Sequence, residues 1–243
     1  GFHIYSFVST PDVPLLIAFT LYLYVFNNVI YKQRTADFLL WGIAAALLIY
    51  AKYHGGILIF LSLVIKWRLL LNPRSYLAGL VAILLLWPHL FWLHKNNYIT
   101  FYFHLYFRPK EGLQWTHVLG YLGSVLIMLN PILIYFFGKA KRTFKANRFD
   151  DKTIKQLTTA AHFFIGFVAF FFLYSFRSRI EPHWVVAGFI PLVIYLTSFV
   201  AQLKIRMKPL LISIIAFSVV RILIALPLPF FSDQFHRFDK PYY

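Results

Sequence analysis

The stretch Val13 to Tyr31, which reads VPLLIAFTLYLYVFNNVIY, decides the fold because it has no charged residue and can cross a membrane as one helix. A helix needs about 20 residues to cross the hydrocarbon core of a bilayer. Further apolar stretches of similar length follow, and no long alternation of apolar and polar residues indicates a barrel. We predict these further spans at Ser75 to Leu93, Thr116 to Gly138, Thr158 to Ser175, Trp184 to Leu203 and Met207 to Phe230.

A longer apolar stretch, Phe38 to Ile65, is interrupted by polar residues and glycines at Lys52 to Gly56. It is too long for one span and short for two, so we interpret it as a helical hairpin that turns at Lys52 to Gly56. The chain is therefore predicted to be an all-α protein, a polytopic transmembrane helical bundle of about eight membrane segments. Residues 1–243 are expected to form a single transmembrane domain.

The composition favours a membrane protein over a soluble one. Of the 243 residues, 60% are hydrophobic and 13% are charged, and the mean hydropathy is +0.67. A soluble globule needs a far larger polar fraction to cover its surface. The net charge of +16 would suit a nucleic-acid binder, whose basic residues form a stripe on a hydrated domain. Here the basic residues lie between apolar segments, so no nucleic-acid partner is expected. The absence of cysteine excludes disulfides, thiolate metal sites and cysteine nucleophiles.

Lysine and arginine are distributed unevenly between alternate loops. Cytoplasmic loops of membrane proteins carry an excess of these residues. The richer set comprises the loops around 32–34, 66–74, 139–155 and 204–208, which we place in the cytoplasm. Most histidines and most acids fall at the opposite ends of the spans, where a topology signal does not explain them. The extracytoplasmic ends of the bundle are therefore the expected chemical face, and membrane lipids are the expected surroundings.

Two motifs on that face adjoin predicted spans. At Thr10-Pro11-Asp12, either Thr10 or Asp12 is expected to cap the first turn of the helix, and Asp12 is also able to orient a sugar hydroxyl or hold a divalent cation. Lys52, followed by Tyr53-His54-Gly55-Gly56, either snorkels to the interface while the glycines make the bend, or offers a point charge to a phosphate. The residues alone leave both alternatives open at each motif.

An aromatic loop on the same face contains His104 and Arg108, one helical turn apart. It suits an interfacial segment at headgroup depth, and equally a binding platform for a sugar attached to a lipid phosphate. Arg221 is unusual for another reason, because it lies inside the last predicted span. It either snorkels or pairs with a carboxylate across the bundle.

The segment from Arg177 to His183 places two arginines, an acid and a histidine on the side where positive charge is disfavoured. Topology does not explain this concentration. The guanidinium groups of Arg177 and Arg179 can chelate a phosphate or pyrophosphate while Glu181 holds one of them in place. The segment therefore indicates an anion-binding site.

Together these motifs resemble a known family. The order is Thr10-Pro11-Asp12-x-Pro14-Leu15 before a span, Lys52 closing the next span, Trp87-Pro88 ending another, a histidine and an arginine in the following aromatic loop, and Pro182-His183 opening a late span. This order resembles the membrane glycosyltransferases of the C-type fold. More narrowly, it is similar to the bacterial relatives of the dolichyl-phosphate-mannose protein mannosyltransferases and of the aminoarabinose transferase that modifies lipid A. The resemblance runs from about Gly1 to Leu203.

The resemblance implies an inverting transfer of a sugar from a polyprenyl or dolichyl phosphate donor to an acceptor, on the outer side of a bacterial inner membrane. It implies that Asp12 is a catalytic acid of the site, and that a divalent metal ion, if used, is held by Asp12 and His104. The sugar and acceptor would meet His54, His104 and Glu181. The donor phosphate would be bound by Lys52, Arg108, Arg177, Arg179 and His183.

One departure from the family concerns the catalytic base. Family members carry an earlier span and a first outer loop with an acidic pair that includes the catalytic base, and this sequence begins after that point. We therefore expect that residues 1–243 lack the N-terminal span and its catalytic loop. A transporter or flippase for lipid-linked sugars would need a similar cationic pocket without a base, and it is the alternative function.

Overall fold

The structure, a computed structural model, describes residues 12–102, 114–129, 134–135, 138, 149–202 and 207–225. These residues are almost entirely helical and contain no strand, so the predicted all-α class is confirmed. Short 3-10 helices at Trp67–Leu71 and Val186–Gly188 join some of the α-helices. The α-helices are α1 Asp12–Tyr31, α2 Thr35–Ala51, α3 Gly55–Ile65, α4 Pro73–Lys95, α5 Ile99–Tyr102, α6 Trp115–Met128, α7 Asp151–Ser175, α8 Pro182–Val185, α9 Phe189–Gln202 and α10 Met207–Ala225.

Three of the described helices, α1, α4 and α7, are long and apolar enough to cross a membrane. Each contains a predicted span, and the other apolar helices are shorter, so the predicted count of about eight membrane segments is not confirmed. Helix α7 begins before its predicted span because Asp150 caps it, with a carboxylate oxygen 3.0 Å from the Thr153 N–H. The predicted span from Trp184 is also interrupted, because a 3-10 helix lies between α8 and α9.

The predicted hairpin forms, with α2 and α3 flanking a turn at Lys52 to His54. Its glycines do not make the bend, since no glycine in the described residues has a positive φ. Gly55 instead begins α3, where a Cβ atom would lie 2.7 Å from the backbone oxygen of Leu48. The glycine therefore lets the start of α3 approach the end of α2, which fixes the turn that carries Lys52.

Aromatic side chains hold α1 against α7. Phe19 meets Phe167 edge to face with ring centroids 5.5 Å apart, and Phe26 meets Phe163 in the same way at 5.5 Å. All four rings are buried. Such pairs contribute about 0.5–1.5 kcal/mol each beyond the burial of their area. The contacts fix α1, whose first residue is Asp12, against the helix that leads to the arginine segment.

The chain forms two compact units. The first comprises Gly1–Met128 and Ala146–Tyr195, and it contains every described candidate site residue. The second comprises Leu129–Lys145 and Leu196–Tyr243, and its described helical backbone includes α10 with Arg221. The site is therefore built within the first unit.

Candidate functional site

An ion pair between Asp12 and Lys52 lies at the centre of the site. The Lys52 ammonium donates to a carboxylate oxygen of Asp12 at 2.7 Å, and the two side chains are 19% and 8% exposed respectively. Asp12 is the first residue of α1, where the helix dipole favours a negative charge. Lys52 ends α2 at the turn of the hairpin. The contact thus joins two motifs that lie 40 residues apart in the sequence.

His183 adjoins this pair from the start of α8. The imidazole is half-buried, and its burial lowers the pKa below the ordinary value of 6.5. The positive charge of Lys52 lowers the pKa further, while Asp12 and Glu181 oppose the shift. The charges of all three residues therefore act on the ring. The net result favours a neutral imidazole, which can donate a hydrogen bond through one nitrogen and accept through the other.

Because the pKa of His183 is lowered in the folded protein, we expect the protein to lose stability in acid. The unfolded chain takes up the proton first as the pH falls below about 6.5, so stability that is present at neutral pH is lost in that window. The melting temperature of the purified protein is expected to fall on acidification, and to fall less in His183→Gln. His94→Gln, at an exposed histidine near the end of α4, serves as the control and should retain the wild-type slope. An unchanged slope in His183→Gln would contradict the assignment.

His54 connects the turn to α7 and α8. Its ring lies 4.9 Å from the Trp184 ring and 5.6 Å from the Phe171 ring, measured between centroids. The turn that carries Lys52 and the short helix that carries His183 therefore share one aromatic cluster. Packing of this kind holds polar groups in a defined geometry, which a binding site requires.

The arginine segment follows α7 and is anchored by alternate buried residues. Ser178 and Ile180 are buried, whereas Arg177 and Arg179 are exposed. The Arg179 guanidinium lies 3.6 Å from a carboxylate oxygen of Glu181, and the two side chains are 67% and 39% exposed respectively. Through Glu181, whose charge acts on His183, this segment adjoins the Asp12–Lys52 pair.

Sequence reasoning missed a second polar contact at the same end of the hairpin. The Tyr53 hydroxyl lies 2.6 Å from Nε2 of His89, and Trp92 stacks on the histidine ring at 6.1 Å. His89 and Trp92 are three residues apart on α4, which is the spacing of neighbours on one helix face. This spacing is visible in the sequence, but the partner Tyr53 comes from the turn between α2 and α3.

The family resemblance placed Trp87-Pro88 at the end of a span, whereas the predicted span Ser75 to Leu93 runs past it. The structure agrees with the longer span, and the end at Trp87-Pro88 is wrong. Pro88 lies inside α4, which continues to Lys95. A proline removes one helical hydrogen bond, and other groups can satisfy the backbone near it in a membrane helix. Here the Tyr50 hydroxyl donates to the carbonyl of Leu85 at 2.8 Å, close to the interruption.

Other predicted site residues cannot be placed with this cluster. His104 and Arg108 lie outside the described residues.

Within the described part of the chain, no three His, Cys, Asp or Glu side chains form a group that could hold a metal ion. Asp12, a predicted metal ligand, already binds the Lys52 ammonium. These residues alone therefore do not fit a metal site.

Comparison with known proteins supports the family predicted from the motifs. Residues 2–92 match the family model described as dolichyl-phosphate-mannose-protein mannosyltransferase. The matched range includes Asp12 and Lys52, and ends before the arginine segment. No curated protein and no solved structure matches the chain. Together with the apolar helices, the match indicates an integral membrane protein and an enzyme. The resemblance is thus confirmed: over residues 2–92 the chain is similar to the dolichyl-phosphate-mannose-protein mannosyltransferases, a family that implies a glycosyltransferase of the mannosyltransferase type.

Proposed function

We propose that this protein transfers a sugar, with inversion, from a polyprenyl or dolichyl phosphate donor to a lipid, glycan or protein acceptor at the extracytoplasmic face of a bacterial inner membrane. The single observation that carries the proposal is the partly buried Asp12–Lys52 pair, with the charges of both residues acting on His183. A lysine held in this way offers a fixed positive charge at the end of a membrane helix, where a lipid-linked phosphate would lie.

The extracytoplasmic location rests on helix direction and on charge. Helix α1 has 20 residues, which corresponds to about 30 Å and to the thickness of a bilayer core. Asp12 begins this helix, and Lys32 and Arg34 follow its other end. Because basic residues concentrate on the cytoplasmic side, the end with Asp12 is assigned to the outside.

Donor binding is assigned to the cations of the site. A lysine ammonium has three N–H donors, and in Lys52 the carboxylate of Asp12 takes one of them. The remaining donors and the partial exposure of Lys52 allow it to contact one phosphate oxygen of the donor. The exposed guanidinium groups of Arg177 and Arg179 are proposed to bind other phosphate oxygens in bidentate fashion. The neutral His183 is proposed to donate a hydrogen bond to the phosphate through one ring nitrogen. His54 and Glu181 are proposed to orient the sugar and the acceptor.

The chemical step is a single displacement. The acceptor oxygen forms a bond to the anomeric carbon as the bond from that carbon to the phosphate oxygen breaks. The electron pair of the broken bond stays on the polyprenyl phosphate, where Lys52 and the arginines stabilise it in the manner of an oxyanion hole. A carboxylate base accepts the acceptor's proton. Because the carboxylate of Asp12 already binds the Lys52 ammonium, we propose that this base lies outside the described residues.

A transfer assay tests this function against transport. The full-length protein in lipid nanodiscs or proteoliposomes is given a panel of polyprenyl phosphates that carry radiolabelled sugars, together with envelope lipids and peptides as acceptors. We expect label to enter an acceptor while free polyprenyl phosphate is released, and we expect the anomeric configuration to invert. Movement of intact donor between leaflets without cleavage would instead identify a transporter.

Variants of the arginine segment test donor binding in the same assay. The double variant Arg177→Gln/Arg179→Gln is expected to reduce kcat/KM for the donor by at least about 100-fold, since loss of even one donor to a developing anion typically costs about 10²–10³. Lys32→Gln/Arg34→Gln removes two charges at the other end of α1 and should leave transfer near the wild-type rate. Equal losses in both double variants would contradict phosphate binding by the arginine segment.

A further inference from the structure

A cavity of about 420 Å³ lies at the other end of the hairpin, where α3 ends and the 3-10 helix Trp67–Leu71 begins. This cavity is separate from the proposed donor site and lies far from Asp12. Ile30 lines it and is 18 positions beyond Asp12 on α1, which corresponds to about 27 Å along the helix. The polar part of its lining comprises Lys66, Arg68, Gln33 and Asn72.

The walls of this cavity are fixed by hydrogen bonds. The guanidinium of Arg74 donates to the carbonyl of Gln33 at 2.5 Å, which ties the α1–α2 loop to α4. Asn72 caps α4 by accepting from the Arg74 N–H at 3.0 Å. The Tyr76 hydroxyl donates to the carbonyl of Leu70 at 2.9 Å, which holds the 3-10 helix against α4. The cavity is therefore formed before any ligand binds.

The charge of the cavity is positive. Lys66 and Arg68 contribute to its lining and no carboxylate does. Among the described residues, neither cation is within ion-pair distance of an acid. Two acids at the same end instead accept hydrogen bonds at the first turns of helices. Asp37 accepts from the Arg34 N–H at 3.2 Å, and Asp150 caps α7. Two cations beside neutral amide groups form an environment that suits one anionic phosphate.

The position of the cavity selects a lipid over a soluble phosphate. It lies about one hydrocarbon thickness from the outer site, hence at the headgroup level of the opposite leaflet. Trp67 is 57% exposed and Leu71 is 72% exposed, and an aromatic and an aliphatic side chain of this kind belong at the membrane interface. We propose that this cavity binds the phosphodiester headgroup of an anionic glycerophospholipid, with Lys66 and Arg68 on the phosphate and the amides of Gln33 and Asn72 on the headgroup hydroxyls.

Native mass spectrometry of the detergent-purified full chain tests this site. Retention of phosphatidylglycerol is compared with that of phosphatidylcholine. Lys66→Gln/Arg68→Gln is expected to lower the affinity for phosphatidylglycerol about tenfold and to leave phosphatidylcholine binding unchanged. Lys32→Gln/Arg34→Gln is the matched control, because it removes the same charge from the same end without touching the lining, and it should change the affinity less than about twofold. Equal losses in both double variants, or no loss in either, would overturn the proposal.

A filling variant separates the cavity from surface charge. Ile30→Trp places an indole in the cavity while both cations remain, and it should reduce phosphatidylglycerol binding about as strongly as the double variant. Glycerol phosphate is added as a soluble competitor. We expect it to compete weakly, since it lacks acyl chains that pack on the apolar surface. Competition by glycerol phosphate at the same affinity as the lipid would identify a soluble phosphate site and overturn the assignment to a lipid.

Discussion

Replacement of Lys52 by methionine should reduce sugar transfer by at least about 100-fold. Lys52 is proposed to stabilise the negative charge that develops on the leaving phosphate, and loss of one preorganised donor of this kind typically costs about 10²–10³ in rate. Asp12→Asn should reduce transfer by a similar factor, because the asparagine no longer holds the ammonium with an opposite charge. Initial rates with a radiolabelled polyprenyl-phosphate sugar, measured at a temperature where each variant is folded, give the two factors.

Stability measurements distinguish this role from a purely structural one. Lys52→Met leaves the Asp12 carboxylate, 8% exposed, without its cation, which should cost about 3 kcal/mol of unfolding free energy. Asp12→Asn retains a hydrogen-bond acceptor for Lys52 and should cost less. Lys52→Arg retains the charge and should recover part of the activity. If the pair were only structural, the loss of activity in the three variants would follow their loss of stability.

A double-mutant cycle and a matched control complete this test. The double variant Asp12→Asn/Lys52→Met should be no less active than the worse single variant, because the two side chains act as one unit. Lys95→Met is the control, since Lys95 lies at the same end of the bundle, on α4, with its ammonium over the Phe91 ring at 4.7 Å. It should retain near-wild-type transfer. Wild-type activity in both Asp12→Asn and Lys52→Met would remove the proposed site.

The long apolar helices of this fold could be predicted from local sequence, but the effect of a proline within them could not. An apolar length is a property of one segment, so Val13 to Tyr31 predicted α1 to within one residue. A proline is ambiguous, because its effect depends on which neighbour satisfies the backbone. Pro88 therefore suggested the end of a span, while the structure places Tyr50 of the adjacent helix near the interruption and α4 continues.

The residues of the site could be found from local sequence, but the contacts between them could not. Sequence reasoning singled out Asp12 and Lys52 separately, each with an ordinary alternative. Their contact depends on how α1 packs beside the hairpin, which no local pattern encodes. The contact between Tyr53 and His89 was missed for the same reason, although both residues adjoin motifs that the sequence had singled out.

Gly42 in α2 lies where this helix packs closely against α4, and we expect its replacement by alanine to destabilise the protein. A Cβ atom at Gly42 would lie 2.9 Å from Cβ of Val81 and would also clash with the backbone oxygen of Ala78, both on α4. Small residues allow membrane helices to approach this closely. Gly42→Ala should therefore lower the free energy of unfolding by about 3 kcal/mol, the upper part of the range for overpacking, because the obstacle is backbone and cannot move aside.

Gly79→Ala is the matched control for this prediction. Gly79 lies on α4, one residue after Ala78, and no atom lies within 4 Å of a Cβ added there. Without a clash, alanine should stabilise the helix by about 0.5–1 kcal/mol through its higher helix propensity. The same substitution is thus expected to have opposite signs at two helical glycines, and reversible unfolding in mixed micelles measures both. Equal stability of the two variants would show that α2 and α4 do not pack through Gly42, and the hairpin would then need another means of placing Lys52 beside Asp12.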